Sequence, residues 1–310
     1  GRRERRYSVR AKRTGRPPSN TMSPSAPPID STYRQAFDRD GFVMVSGVFD
    51  DESVTHVRRF IYFTARRLLG GGAAAATQTN HLLNVDAPWE SQHLDDLVRA
   101  AQRDEPDLFE AFSDTLQNGA VLTRLLSAGR TLDSVAALLD EDVDGLALSG
   151  AQLRVDVPQD PNNGYEWHQE RAYYPQNPEG HRGLVMSVAL QDTPPSLGAL
   201  RVVPASHRQG FTFGQHDIRR DGAAEAKTLL PERLVGAQEH ATDFKRGDAL
   251  FTSMNTFHRA GRNEGERVRF TLLGRYHQVA NDPHYVATRA RLDANQLLKA
   301  RAEAVHGRLF

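Results

Sequence analysis

Tyr165-Glu166-Trp167-His168-Gln169-Glu170-Arg171-Ala172-Tyr173-Tyr174 is rich in aromatic residues and reads as a strand. Side chains two apart on a strand share a face, so His168 and Glu170 are expected to point the same way. By itself such a pair says little. With 12 His and 39 acidic residues in 310, chance supplies roughly one or two His-x-acid pairs. His93-Leu94-Asp95 is a pair of that kind, in a segment whose Leu94, Leu97 and Val98 recur at helical spacing. It is expected to be a solvated helix face.

Two later residues lift the second pair above that background. His258 ends the run Gly247-Asp248-Ala249-Leu250-Phe251-Thr252-Ser253-Met254-Asn255-Thr256-Phe257, where a turn feeds a strand. Arg269 follows in Arg267-Val268-Arg269-Phe270-Thr271-Leu272-Leu273, a second strand expected to pair with the first as a hairpin across Gly261 to Gly265. Two imidazoles and one carboxylate on one side of a metal leave its other side open. Non-haem Fe(II) uses that arrangement when it must also bind a cosubstrate and oxygen.

These residues resemble the phytanoyl-CoA dioxygenase family of Fe(II)- and 2-oxoglutarate-dependent oxygenases. The resemblance rests on Asp40-Gly41-Phe42-Val43, Trp167-His168-Gln169-Glu170, the run Gly198-Ala199-Leu200-Arg201-Val202-Val203-Pro204-Ala205-Ser206-His207, and His258 with Arg269, across about residues 31 to 280. It implies Fe(II), 2-oxoglutarate and O2 as cofactor and cosubstrates, with His168, Glu170 and His258 as catalytic metal ligands. The family's usual acid is Asp; here it is Glu170, longer by one methylene. Glu166 shares the expected strand face, and Glu170 is preferred because it keeps the family spacing.

Of the remaining coordination positions, 2-oxoglutarate would take two and oxygen the third. Its distal carboxylate needs a fixed cationic fork, which Arg supplies better than Lys. Arg269 resembles the family residue for that task and is preferred to Arg267 for its distance from His258. Thr271, on the same face, could add a hydroxyl. Gln152 and Arg154, on the preceding strand, and Ser187 stand where family members place residues facing cosubstrate or substrate; each could equally be an ordinary interior polar residue. Tyr173, Tyr174, Trp167 and the stretch from Ala73 to Asn84 are candidate pocket walls or rim packing. His207 and His277 receive no role. A halogenase would need the acid replaced by Ala or Gly, and Glu170 argues against that.

Composition limits the alternatives. A 310-residue chain with 39% hydrophobic residues can bury one large core, and one domain suffices for it. With no Cys, neither disulfides nor thiolate metal sites are available. No apolar run is long enough for a membrane span and no secretion signal is evident, so a cytoplasmic protein is expected. Residues 1–30 carry Arg2, Arg3, Arg5, Arg6, Arg10, Lys12, Arg13 and Arg16 with many Pro and Ser, and read as a disordered basic leader or an artificial extension ahead of Met22. Tyr7 is the one aromatic residue there, so nucleic acid is not expected as a partner.

Residues 31–310 read as one oxygenase domain. Its helical part, about 31–145, holds helices over Tyr33 to Arg39, Asp51 to Leu69, and within 91–102, 106–127 and 132–140, with a strand from Gly41 to Val48. From 146 to 280, short apolar runs suggest antiparallel strands: Gln152 to Val157, Tyr165 to Tyr173, Leu184 to Leu190, Ala199 to Val203, Asp248 to Thr252 and Val268 to Tyr276. The fold class is therefore mainly β with flanking helices around a cupin-like jelly roll, a double-stranded β-helix. Residues 281–310 read as a helix that could cover the core or mediate a homodimer.

The expected reaction is oxidation of an unactivated C–H bond of a small polar molecule, by hydroxylation or oxidative cyclisation. Ala- and Arg-rich usage without Cys looks like a GC-rich bacterium, pointing to tailoring of a specialised metabolite such as a sugar-containing antibiotic. Two other readings stand beside it. A cupin-like metal isomerase or epimerase would need the metal but not Arg269, and a non-catalytic jelly-roll carbohydrate-binding protein would need neither.

Overall fold

The Asp30 carboxylate accepts hydrogen bonds from the backbone N–H groups of Thr32 (2.8 Å) and Tyr33 (3.3 Å), capping helix α1, Ser31–Asp40. Gly41 ends that helix in the left-handed region, with φ 78°. A Cβ at Gly41 would come within 2.4 Å of Thr256 Oγ1, so only glycine lets the chain turn so close to the following structure. Strand β1, Phe42–Val45, starts at once. Its partner in the computed structural model is strand β8, Ala249–Ser253, far along the chain. Described are residues 29–70, 88–160, 167–174, 182–211, 216–218, 224–226 and 236–279. Residues 1–28 of the expected leader, the stretch from Ala73 to Asn84 and the C-terminal helix lie outside them, while Asp30, at the end of that leader, is the helix cap.

Among the described residues, five more helices belong to the helical part: α2 Asp51–Leu68, α3 Gln92–Asp104, α4 Pro106–Gln117, α5 Ala120–Leu126 and α6 Gly129–Leu139. The single helix expected within 106–127 is two, because Asn118-Gly119, both poor helix formers, end one and open the next. On α2 the buried residues Val54, Val57, Ile61 and Ala65 recur at three- and four-residue spacing and face the core.

The strand half builds two main sheets. The larger has the order β1-β8-β3-β10-β2 and is antiparallel throughout, with β2 Leu146–Asp156, β3 Gly183–Ala189, β8 Ala249–Ser253 and β10 Arg269–Gln278. The smaller has the order β7-β4-β9, with β4 Leu200–Val202, β7 His240–Ala241 and β9 His258–Ala260. A short ribbon pairs β5 His216–Ile218 with β6 Ala224–Ala226. The class is the expected one, mostly antiparallel sheets with flanking helices, though the described strands do not close a barrel.

Alternation along the central strands sorts the two faces. On β10, Phe270, Leu272 and Tyr276 pack with Leu184, Met186 and Val188 of β3 and with α2 and its neighbouring helices in one large core. Each fully buried side chain of this kind contributes about 1.5–3 kcal/mol. Arg269, Thr271, Leu273 and Arg275 of the same strand take the other face and line a cavity.

Two local expectations are corrected. His168 joins His258 by an isolated bridge, with backbone N–H···O distances of 3.0 Å both ways, and the chain then turns into a 3-10 helix over Glu170–Tyr173. Among the described residues, Trp167 to Tyr173 form no strand but turn after the bridge; Tyr165 and Glu166 of the expected strand lie outside the described residues. Nor do β9 and β10 form a hairpin. β9 pairs with β4 and β10 lies between β3 and β2, so residues 261–268 cross from one sheet to the other.

Candidate metal and cosubstrate site

The bridge to His168 and the turn after it place three donors together. His168, Glu170 and His258 are buried, and their ligand atoms lie within 4.8 Å of one another. The turn replaces the strand periodicity expected for His168 and Glu170, yet the two side chains still converge. His258 Nδ1 sits 2.9 Å from the Thr256 carbonyl oxygen. A carbonyl only accepts, so Nδ1 carries the proton and Nε2 keeps its lone pair for a metal. Burial pushes the His258 pKa down, against the pull of Glu170, and keeps the imidazole neutral.

Glu170 is held in its ionised form. Burial alone would raise its pKa, but the Arg275 guanidinium, the largest opposing influence, helps bring the carboxyl down to about 2. Arg275 Nε donates to Glu170 Oε1, and Arg275 Nη2 donates to Gln152 Oε1 at 2.7 Å. The other carboxylate oxygen, Oε2, lies 4.0 Å from His258 Nε2. Two imidazoles and one ionised carboxylate make a donor set that fits Fe(II).

The cavity beside these donors is about 220 Å³. All eight residues singled out in the sequence line it: the three donors, and Gln152, Arg154, Ser187, Arg269 and Thr271. They come from four strands and one turn. Asp156 lies directly across from Arg269, Arg154 from Thr271, and Gln152 from Leu273 in the β2–β10 register. Arg269 donates to Asp156 Oδ2 through Nε (3.0 Å) and Nη2 (2.7 Å), while Arg154 Nη2 donates to Asp156 Oδ1 at 2.6 Å. Burial would raise the Asp156 pKa, but Arg154 and Arg269 outweigh it and keep the carboxyl below its ordinary range. Asp156 thus bridges the two guanidiniums at the cavity wall.

The competing residues find other places. Arg267 turns outward and pairs with Asp95 on α3, so the rejected arginine and the rejected acid hold each other. Asp95 is fully buried, not solvated as expected, whereas His93 is exposed. Tyr173 and Tyr174 line the cavity. Trp167 instead packs with Val203 and Phe257, with the Arg259 guanidinium 4.6 Å from its ring centre. His207 has a partner after all, since its Nε2 lies 3.1 Å from the Asp38 carbonyl oxygen. His277 is fully buried with its ring against Tyr174 at 4.6 Å.

Arg275 and Asp156 are the residues that sequence reasoning missed. Arg275 continues the inward set Arg269, Thr271, Leu273 at the same two-residue spacing, a signal already present in the strand expected from Val268 to Tyr276. Asp156 is visible only through the register between two strands more than a hundred residues apart.

The family model for phytanoyl-CoA dioxygenase (PhyH) matches residues 37–271. The chain belongs to the phytanoyl-CoA dioxygenase family. Iron, 2-oxoglutarate and oxygen are that family's cofactor set, and the donors described above fit it. Ectoine dioxygenase of Sphingopyxis alaskensis is 28% identical over 188 residues, 60% of this chain and 52% of that protein, so the match spans about half the relative's length. EvdO2 from Micromonospora carbonacea var. aurantiaca superposes with a TM-score of 0.54 at 20% identity, covering 82% of this chain and 92% of that one. SnoN, a non-heme alpha ketoglutarate dependent epimerase from nogalamycin biosynthesis, gives 0.53 at 18% identity, covering 80% and 82%. EvdO2 has also been solved with 2-oxoglutarate, and SnoN with Fe3+, alpha ketoglutarate and nogalamycin RO. These structural likenesses establish the fold of this phytanoyl-CoA dioxygenase family member. Among its described residues, no helix is long and apolar enough to cross a membrane.

Proposed function

We propose that this chain is an Fe(II)- and 2-oxoglutarate-dependent dioxygenase that oxidises an unactivated C–H bond of a compact polar molecule, by hydroxylation or oxidative cyclisation. One observation supports it above the others. The metal donors and the buried guanidinium of Arg269, seated on Asp156, line the same cavity. A metal isomerase would need the donors alone. A dianionic cosubstrate that chelates the metal at one end needs a cationic fork at the other, and Arg269 is the residue proposed to provide it, with Thr271 beside it.

His168, Glu170 and His258 would hold the iron. Bound there, iron supplies oxidising power drawn from oxygen and from decarboxylation of 2-oxoglutarate. The residues of the chain supply position: Arg269 orients the distal carboxylate, and Tyr173 with Leu273 gives a part-apolar wall on which a substrate can rest. A tailoring role on a bacterial specialised metabolite such as a sugar-containing antibiotic follows from the compositional reading and is supported by the kind of proteins that share the fold. A non-catalytic carbohydrate-binding protein would not need an ionised Glu170 between two imidazoles.

Conversion of 2-oxoglutarate to succinate by the iron-loaded protein, measured across a panel of amino acids, ectoine, aminoglycosides and oligosaccharide antibiotics, tests this reading. One class should accelerate succinate formation and gain an oxygen atom or lose two hydrogens. Absence of any 2-oxoglutarate turnover by folded, iron-loaded protein would refute it.

A further inference from the structure

Arg275 is buried, 7% exposed, and its Nη1 has no hydrogen-bond partner. Its other nitrogens are committed. Nε donates to Oε1 of Glu170, and Nη2 donates to Gln152 Oε1 at 2.7 Å. Gln152 lies on β2 opposite Leu273, two residues before Arg275 on β10, so the contact is a diagonal one across the sheet. The result is a chain of contacts from β2 through Arg275 to one oxygen of Glu170. The other oxygen, Oε2, stands 4.0 Å from His258 Nε2.

We propose that Arg275, braced by Gln152, is a positioning residue that reserves Oε1 of Glu170, so that this acid meets the metal through Oε2 alone. The inference rests on the metal-centre reading above and adds to it how the acid is used. A carboxylate can bind a metal through one oxygen or two. With two imidazoles present, one-oxygen binding leaves three of six octahedral positions open, enough for a chelating cosubstrate and oxygen. Two-oxygen binding would leave only two.

Glutamate needs such a restraint more than aspartate does. It has one further rotatable bond, and Glu170 starts from a 3-10 turn, not from a strand. Without the guanidinium, both oxygens are available and the side chain can rotate toward either mode. A charge-assisted bond from a planar fork removes that freedom. Arg275 also places a positive charge near the metal, which opposes cation binding. If positioning dominates, removing Arg275 weakens the metal; if charge dominates, removing it tightens the metal.

The test titrates Co(II), as a spectroscopic substitute for iron, into wild type, Arg275→Met, Arg275→Lys and Gln152→Leu. Affinity is read by calorimetry, the visible Co(II) spectrum is read before and after addition of 2-oxoglutarate, and circular dichroism checks folding. Wild type should bind one Co(II). Arg275→Met should bind it about 10–100-fold more weakly, the usual range for groups behind a metal ligand, with an altered spectrum that no longer responds to 2-oxoglutarate as wild type does. Arg275→Lys and Gln152→Leu should change in the same direction by less. If Arg275→Met does not fold, those two variants decide by the same readouts. Folded variants with unchanged or tighter Co(II) binding and the wild-type spectrum would overturn the proposal. A wild type that binds no Co(II) would overturn the metal-centre reading itself, and the inference with it.

Discussion

Arg269 and Asp156 face each other across β10 and β2 and are joined by two hydrogen bonds, 3.0 and 2.7 Å, to a single carboxylate oxygen. Asp156 also holds Arg154 at 2.6 Å. The carboxylate therefore does for the arginines what a second-layer partner does for a metal-bound histidine: it sets their orientation before any ligand arrives.

Replacing Asp156 by Asn tests that role and has a defined pH dependence. Buried Arg269 would lose its counter-charge and partly buried Arg154 a partner, so the variant should be about 3–5 kcal/mol less stable at neutral pH. The Asp156 pKa is depressed in the folded protein, so its stabilisation is complete above the unfolded value of about 4 and is lost as pH falls through the folded value. Denaturant unfolding should show the wild-type advantage shrinking on acidification below about pH 4. A gap independent of pH would show that Asp156 does not act through its charge.

Arg267 and Arg269 are two residues apart but have different surroundings, and only Arg269 lines the cavity. Arg267 pairs with fully buried Asp95 on the outer side, so Arg267→Ala should cost about 1–3 kcal/mol of stability by leaving a buried acceptor without its partner. Its affinity for 2-oxoglutarate should match wild type. Equilibrium binding that falls as far in Arg267→Ala as in Arg269→Ala would remove the distinction.

Gly198 has φ +84°, and a Cβ on it would come within 3.0 Å of Arg269 Nη1 and 2.8 Å of the Gly261 carbonyl oxygen. Gly198→Ala should therefore both strain the backbone, by about 1–2 kcal/mol, and displace the arginine. The expected result is a lower melting temperature with a raised KM for 2-oxoglutarate. A variant with a lower melting temperature but an unaltered KM would mean that the arginine tolerates the intrusion.

Glu170→Ala should reduce succinate formation to below about one hundredth of wild type, a larger effect than the 10–100-fold typical of groups behind the ligands. Undiminished succinate production would remove Glu170 from the ligand set.

Much of this site was legible because its chemistry is written in short spacings and ordered motifs. His168-x-Glu170, His258 and Arg269 needed only their order and the family pattern, and the inward set on β10 follows from a period of two. Local geometry was less legible. The turn at Glu170 was hidden because an aromatic-rich run has strand propensity whether or not a neighbouring strand is there to pair with it. The absent hairpin is a topological fact: residues 261–268 look like a turn, and only the competing pairings of β9 with β4 and β10 with β3 send the strands to different sheets. Asp95 illustrates a similar limit. Its helical period was evident, but its burial depends on Arg267, 172 residues away.

The most direct measurement is an anaerobic titration of the metal-free protein with Fe(II) and then 2-oxoglutarate, followed by visible absorption. Chelation of the cosubstrate by iron should produce a weak metal-to-ligand charge-transfer band in wild type, and that band should be lost in Arg269→Ala at the same concentrations. A folded, iron-loaded wild type that gives no band, or a band of equal strength in Arg269→Ala, would contradict the account.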